Sequence, residues 1–128
     1  MISSGSGSVN GAPRLLLRAE GFAIVVLCGI GFAKAGASWW FFALLILVPD
    51  LSILAYFAGP RTGAITYNAA HTYLGPLALL ASALLLAAPG ASAIALIWGA
   101  HIGLDRALGL GLKYPEAFAA THLGRIGK

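Results

Sequence analysis

Charged residues and cysteine are both scarce in this sequence. Lysine, arginine, aspartate and glutamate make up 9% of the 128 residues, whereas 59% are hydrophobic. That charged fraction is about a third of the value typical of soluble domains, so a water-soluble domain is disfavoured. The single cysteine, Cys28, excludes an internal disulfide and a thiolate metal site, since each needs more than one cysteine. We interpret Cys28 as a small buried hydrophobic residue.

Four apolar runs account for the shortage of charge. They cover residues 15–33, 39–57, 64–88 and 91–108. Each run is near the roughly 20 residues that cross a hydrocarbon core, and backbone groups in lipid must be hydrogen-bonded internally, so each predicts a transmembrane helix. Short connections containing glycine or proline make neighbouring helices antiparallel. The predicted fold is an all-α, four-helix transmembrane bundle with up-down-up-down topology, formed by residues 14–109.

Both ends of the chain are predicted to lie outside this bundle. Residues 1–13 are rich in serine and glycine and predict a disordered tail. Residues 110–128 contain Pro115 and Glu116 as a helix start and predict a short interfacial helix on the cytoplasmic side. The first apolar run also resembles a signal peptide, with Arg14 and Arg18 before it, but Glu20 at its start disfavours that alternative.

Basic residues are distributed unequally between the two ends of the predicted bundle. The end that holds both termini has seven of the eight: Arg14, Arg18, Arg61, Arg106, Lys113, Arg125 and Lys128. The other end has Lys34. Under the positive-inside rule, this bias predicts a multi-pass membrane protein with both termini in the cytoplasm. These residues flank the spans and suit membrane lipid head groups, so lipid is the expected partner and nucleic acid is not.

Ionisable side chains interrupt all four apolar runs or their ends. They are Glu20, Asp50, His71, His101 and Asp105. At about 1.5 Å of rise per residue, Asp50, His71 and His101 lie roughly 10 Å from the cytoplasmic ends of their helices, and the other two lie closer to that interface. The five residues therefore share one layer of the inner leaflet. Pro49 and Gly75-Pro76 predict helix breaks beside this layer.

The ionisable residues of this layer suit a metal ion. Such groups are costly inside a membrane and imply partners, which here are one another. Two imidazoles and two carboxylates match the preferences of zinc or another divalent first-row metal. We therefore predict that Asp50, His71, His101 and Asp105 are both metal ligands and catalytic residues. Asn68, Arg106 and Lys113 are predicted to bind substrate, with the two basic residues holding a phosphate head group.

Two other interpretations of the same residues stay open. Interhelical hydrogen bonds among polar side chains can simply specify helix packing, each contributing on the order of 0.6 kcal/mol. The layer could also form a proton or ion path, although four helices make a narrow one. His122, in the tail, is interpreted as solvated and not as a ligand.

Small residues on the last apolar run predict a close helix contact. Gly99 and Gly103 form a GxxxG pattern, which lets another backbone approach closely. The partner is either the first helix of the same chain or the last helix of a second chain, which would make a homodimer. An unidentified membrane partner is a further alternative.

Several segments give the sequence a resemblance to a known family. They read "PDLS", "YNAAHTY", "HIGLDRALGLGLKYP" and "THLGRIG". The chain resembles the small bacterial membrane proteins of domain-of-unknown-function family 4260 from about Arg14 to its C-terminus. That resemblance implies four membrane helices and a bacterial source, without an established activity. Together with the predicted spans, it leads us to expect a location in the bacterial inner membrane. A fainter similarity, carried only by the His and Asp spacing, is to bacterial inner-membrane metal-dependent hydrolases.

Two functions are consistent with these features. One is a metal-dependent hydrolase that acts on a lipid or small ester entering from the inner leaflet. The alternative is a structural or accessory membrane subunit whose polar cluster only specifies helix packing.

Overall fold

The structure is a computed structural model that describes residues 8–114 and 119–126, with Arg125 described by its backbone alone. The chain is mostly helical. Its helices are α1 (Gly11–Ala35), α2 (Trp39–Leu45), a 3₁₀ helix (Val48–Ala58), α3 (Pro60–His71), α4 (Leu74–Leu85) and α5 (Pro89–Ala107). Two short antiparallel strands follow, β1 (Ala120–Thr121) and β2 (Gly124–Arg125). The all-α prediction is therefore confirmed at the level of fold class.

Two of the helical segments are long and apolar enough to cross a membrane. They are α1, with a mean hydropathy of 2.0, and the segment Trp39–Ala58, with a mean hydropathy of 2.2. Large apolar side chains lie on the outside of the molecule, including Trp40, Phe57 and Leu85, which are 79%, 92% and 85% exposed. An exterior of this kind matches lipid better than water.

The second predicted span is one segment with two helical geometries. Pro49 has no N–H to offer a carbonyl in the preceding turn, so the α-helical hydrogen bonds of α2 stop before it. The N–H of Asp50 donates to the carbonyl of Leu47, three residues back, and the chain continues as a 3₁₀ helix. The break expected at Pro49 is thus present.

The prediction of one helix over residues 64–88 is wrong. The chain forms α3 and α4 instead, because Thr72 adopts an extended conformation (φ −89°, ψ 147°) that ends α3. The break falls just before the predicted Gly75-Pro76 site. At Gly75 a side-chain Cβ would lie 2.4 Å from the ring of Trp98, so the absence of a side chain lets α4 pack on α5.

α5 lies at the centre of the bundle and contacts both α1 and α4. It is antiparallel to α1, since Gly21 meets Gly103 at one end and Gly31 meets Leu96 at the other. At Gly103 a Cβ would lie 2.6 Å from the carbonyl oxygen of Gly21. The GxxxG face of α5 is therefore covered by α1 of the same chain, the first of the two alternatives given above.

The buried interior divides along α5 into an apolar half and a polar half. In the apolar half, Phe32, Ala93 and Ile97 form a core, and the Phe32 ring lies 4.8 Å from Trp39 and 5.2 Å from Phe42, centroid to centroid. The polar half contains His71, His101, Asp105, Arg106, Lys113 and Thr121 as buried side chains. Three of the five residues of the polar layer predicted from the sequence, His71, His101 and Asp105, are thus buried.

The tails differ from their predictions. α1 begins at Gly11, inside the segment 1–13 predicted as a disordered tail, and residues 1–7 lie outside the described residues. No helix is present among residues 110–114 and 119–126; β1 pairs with β2, and Thr121 also pairs with Lys113. The interfacial helix is therefore not present in the described part of the tail, and its expected start at Pro115 lies outside that part.

The C-terminal tail is fixed to the bundle by hydrogen bonds. Arg14 Nε donates to the carbonyl of Leu123 (2.6 Å), and Arg18 Nε donates to the carbonyl of Ala107 (2.9 Å). Leu123 is fully buried. The N-terminal turns of α1 and the segment after α5 thus lie at the same end of the molecule.

Candidate metal centre

Four predicted ligands meet at one point between the 3₁₀ helix, α3 and α5. Asp50, His71, His101 and Asp105 each offer one ligand atom, and these atoms all lie within 4.8 Å of one another. Asp50 lies in the first turn of the 3₁₀ helix, and His71 is the last residue of α3. His101 and Asp105 lie one turn apart on α5. Glu20, the fifth ionisable residue of the predicted layer, is exposed on α1 and is not part of the cluster.

Five of the six separations among the four ligand atoms are close to those around a tetrahedral ion. The Nε2 atoms of His71 and His101 are 3.1 Å apart, and each lies 3.1 Å from Asp50 Oδ1. Asp105 Oδ2 lies 3.5 Å from His71 Nε2 and 3.4 Å from His101 Nε2. Zinc with ligands at about 2.0–2.1 Å separates neighbouring donor atoms by about 3.3 Å in a tetrahedron. The five separations therefore suit an ion at the centre of the cluster.

Backbone carbonyls fix the tautomer of both histidines. His71 Nδ1 lies 2.9 Å from the carbonyl oxygen of Tyr67, and His101 Nδ1 lies 2.5 Å from that of Ile46. A carbonyl oxygen only accepts hydrogen bonds, so both Nδ1 atoms carry the proton and donate it. In a neutral imidazole the Nε2 atom is then an acceptor. Two such atoms and two carboxylate oxygens face one another, an arrangement that a cation at the centre would stabilise.

The local sequence explains why the carbonyl of Ile46 is available. In an α-helix it would accept from residue 50, but the N–H of Asp50 donates to Leu47 instead. In a 3₁₀ helix it would accept from residue 49, which is proline and has no N–H. Pro49 therefore frees the carbonyl that orients His101, a role that the sequence analysis did not assign to Ile46.

Tyr67 and Arg106 support His71 from two other sides. The Tyr67 ring is stacked on the imidazole, with centroids 3.7 Å apart and an interplanar angle of 6°. Arg106 Nη2 donates to the carbonyl of His71 (3.0 Å), which the end of α3 leaves without a helical partner. The spacing of four residues between Tyr67 and His71 was the available signal for the stacked pair.

The two aspartates differ in access to the exterior. The Asp50 side chain is 39% exposed, and that of Asp105 is 12% exposed. Both histidines are buried. This order is the reverse of what the predicted depths imply, since Asp105 is predicted from the sequence to lie closer to the cytoplasmic interface than Asp50. The cluster is thus closed on three sides and open at Asp50.

Residues predicted to bind substrate make contacts within the protein. Asn68 Nδ2 donates to the carbonyl of Lys113 (2.8 Å), and the N–H of Lys113 donates to Asn68 Oδ1 (2.6 Å). The Lys113 ammonium lies over the Tyr67 ring, 4.7 Å from its centroid. Burial, against the opposing charges of Asp105 and Asp50, lowers the pKa of Lys113 to about 8. The substrate role of these residues and of Arg106 stays a prediction.

His122 lies outside the cluster but is not solvated as predicted. The N–H of Leu112 donates to its Nδ1 (2.9 Å), and the side chain is partly buried. Burial and the charge of Arg106 lower the pKa of His122. His122 therefore helps to hold the tail, which explains why a tail histidine need be neither exposed nor a ligand.

An apolar cavity of about 300 Å³ lies beside the cluster, although none of the four cluster residues lines it. Its lining residues include Pro49, next to Asp50, and Ala70, next to His71, as well as Ile94 and Ile97 of α5. Ile94, Ile97 and His101 lie on one stripe of α5 because they are three and four residues apart. The cavity thus extends along α5 from the cluster towards the apolar half of the bundle.

Comparison with known proteins gives one match. The family model described as Domain of unknown function (DUF4260) matches residues 14–126. The chain belongs to this family. No curated protein and no solved structure matches the sequence. The resemblance stated from the sequence segments is therefore confirmed, and the four residues of the cluster lie within the matched region.

Proposed function

We propose that this protein is a multi-pass protein of the bacterial inner membrane that binds a divalent metal ion such as zinc and hydrolyses an ester or phosphoester of a lipid. The observation that carries the proposal is the pair of Nε2 atoms, both held as acceptors, facing each other and two carboxylates at 3.1–3.5 Å. These four acceptor groups repel one another, and a metal ion at the centre would coordinate them instead.

The donor set favours chemistry over a purely structural metal. Structural zinc sites are mostly built from cysteine, whereas catalytic sites use histidine and carboxylate and keep one position open to water. Here the donors are two imidazoles and two carboxylates, and the Asp50 side is open. Zinc lowers the pKa of a bound water molecule towards 7. Asp50, the ligand on the exposed side, would give up its position to such a water and hold the proton of that water.

The adjoining cavity supports an apolar substrate. Apart from Ser52, its lining side chains are apolar or aromatic, and the Ser52 hydroxyl already donates to the carbonyl of Pro49 (2.7 Å). A volume of about 300 Å³ is at the small end of the range for small-molecule sites. An acyl chain in this cavity would bring its ester carbonyl to the cluster, because cavity and cluster share the His101 stripe of α5.

The membrane location rests on the apolar exterior. α4 contributes Leu74, Leu77, Leu84 and Leu85 as exposed side chains, so the third apolar run presents the same kind of surface as the first two. α3 and α4 have twelve residues each, about 18 Å apiece, and together would cross as one broken span. Helix breaks at membrane depth are tolerated where they face protein, as the break after His71 does.

Metal analysis of the full chain in detergent, purified without chelator, tests the metal site first. We expect about one divalent ion per chain in the parent and a loss of most of it in His71→Ala and His101→Ala, since each removes one of four ligands. His122→Gln is the matched control, because His122 is the one other histidine of the chain, and it should keep the ion. Less than a tenth of an equivalent in the parent would overturn the metal site.

Hydrolysis is tested with the same preparations and ester substrates of increasing acyl length. We expect metal-dependent release of the acid by the parent and by His122→Gln, and none by Asp50→Asn or His101→Ala. A metal that is retained in full while no ester or phosphoester lipid is cleaved would overturn the hydrolase and support the structural alternative, in which the cluster specifies helix packing.

A further inference from the structure

A groove separates α1 and α4 on the side of α5 away from the metal-binding cluster. Two cavities lie in it, of about 340 and 360 Å³. Both are lined by Ile24 and Tyr73, so they adjoin. Along α1 the groove runs from Leu17 to Cys28, a length of about 16 Å at the helical rise. The second cavity is lined almost entirely by apolar side chains of α1, α4 and α5.

The first cavity contains a buried positive charge. The Arg106 side chain lines it and is 8% exposed as a residue. Arg106 Nη2 donates to the carbonyl of His71, and the guanidinium lies 5.5 Å from the centroid of the Tyr73 ring. Within residues 8–114 and 119–126, the carboxylates that form ion pairs are those of Asp50 and Asp105, and both pair with histidines. Neither is paired with Arg106. The charge of Asp105 acts on Arg106, but Asp105 forms its ion pairs with the two histidines, so an external anion beside the guanidinium would stabilise it further.

Two further polar groups line the same cavity. The Tyr73 hydroxyl is buried, and among the described residues it has no hydrogen-bond partner. Glu20 is exposed at the edge of the cavity. The residues that line the cavity therefore include two that carry N–H or O–H donors and one that carries an exposed carboxylate.

We propose that this groove binds one phospholipid with an ethanolamine head group. The phosphate accepts hydrogen bonds from Arg106 and the Tyr73 hydroxyl, the ammonium pairs with Glu20, and one acyl chain fills the apolar cavity towards Leu80. The order of charges supports this occupant, since a buried cation followed by an exposed carboxylate complements a phosphate followed by a primary amine. The site is distinct from the metal centre, which lies on the α3 side of α5, although Arg106 also donates to the carbonyl of His71.

Thermal unfolding of delipidated protein in detergent, titrated with phosphatidylethanolamine or phosphatidylglycerol, tests the proposal. We expect phosphatidylethanolamine to stabilise the parent saturably, both with and without chelator. The lipid result can therefore be interpreted even if the protein binds no metal. Arg106→Gln should weaken the apparent affinity at least about tenfold, as expected for loss of a charge-assisted hydrogen bond. Glu20→Gln should abolish the preference for phosphatidylethanolamine over phosphatidylglycerol.

Two more variants separate lipid binding from folding. Arg106 also contacts His71, so each variant is compared with itself with and without lipid. Leu80→Trp keeps Arg106 and fills the acyl cavity, and it should lose the lipid effect. Arg61→Gln removes an exposed arginine outside the groove and should behave as the parent. Equal stabilisation by both lipids in the parent, or an undiminished lipid effect in both Arg106→Gln and Leu80→Trp, would overturn the proposal.

Discussion

At the scale of single residues, the two aspartates of the cluster offer the same group, a carboxylate, from different surroundings. Asp105 is enclosed by the bundle, and Asp50 reaches the exterior. Both carboxylates face acceptor nitrogens, so neither is well placed without a cation between them. A metal ion, a proton on an imidazole or a donor in place of a carboxylate would each relieve the arrangement, and only the first makes the two aspartates necessary.

Asparagine substitutions distinguish these cases. In the presence of chelator, the amide N–H of Asp105→Asn or Asp50→Asn can donate to an Nε2 atom, so each variant should melt at or above the parent. With zinc at about 100 times its Kd, the parent should gain about 2.7 kcal/mol in its free energy of unfolding. Asp105→Asn should gain almost nothing, and Asp50→Asn an intermediate amount, because water can replace its exposed oxygen. The measurement is thermal unfolding of the three proteins with and without zinc.

The same gain on adding zinc in all three proteins would contradict this prediction. It would mean that the ion binds elsewhere, since removing a buried ligand cannot leave the affinity of a four-ligand site unchanged.

At the scale of helices, the contact of α1 with α5 depends on glycine on both sides. A Cβ at Gly21 would lie 2.5 Å from Arg106 Cβ and 2.7 Å from the carbonyl oxygen of Gly103. Neither neighbour is the end of a flexible side chain, so Gly21→Ala should force the helices apart and lower the free energy of unfolding by about 1–3 kcal/mol. Gly29→Ala, on the same helix with nothing within 4 Å of its Cβ position, should be neutral or stabilising by up to about 1 kcal/mol. Reversible unfolding in detergent measures both, and equal effects would contradict this account.

The helices also show which features a single sequence predicts. The runs of hydrophobic residues predicted α1 and α5 nearly to their ends. The cost of an isolated charge in lipid predicted that Asp50, His71, His101 and Asp105 converge. The break after His71 was placed only approximately. The position of this break depends on two contacts between distant parts of the chain. They are the packing of Trp98 against Gly75 and the hydrogen bond from Arg106 to the carbonyl of His71.

The hairpin of the C-terminal tail could not be predicted for a related reason. Local preference around Pro115 and Glu116 favours a helix start. The described tail instead pairs Lys113 with Thr121 and attaches to Asn68 and Arg14 through its backbone. Those partners lie 45 and 109 positions away in the sequence, so the tail sequence alone does not contain the residues that determine the tail's structure.

At the scale of the whole molecule, the first and last segments that the structure describes lie together. Arg14 donates to the carbonyl of Leu123, and the N–H of Val9 donates to the carbonyl of His122. The same end holds Arg18 and Arg106, whereas Lys34 lies at the other end of α1. Since basic residues are retained on the cytoplasmic side, the arrangement predicts that the polar half of the bundle faces the cytoplasm.

This orientation predicts the result of reporter fusions. A reporter that is active only in the cytoplasm, fused after Lys128, should give signal, and the same reporter inserted between α1 and α2, at Gly36–Ser38, should give none. A reporter active only outside the cytoplasm should give the reverse pattern at both positions. Lys34→Glu removes the basic residue assigned to the other end and so increases the charge bias, and it should leave this pattern unchanged. Signal from the external reporter at Lys128 would place the cluster in the outer leaflet, and a substrate of the proposed hydrolase would then have to enter from that side.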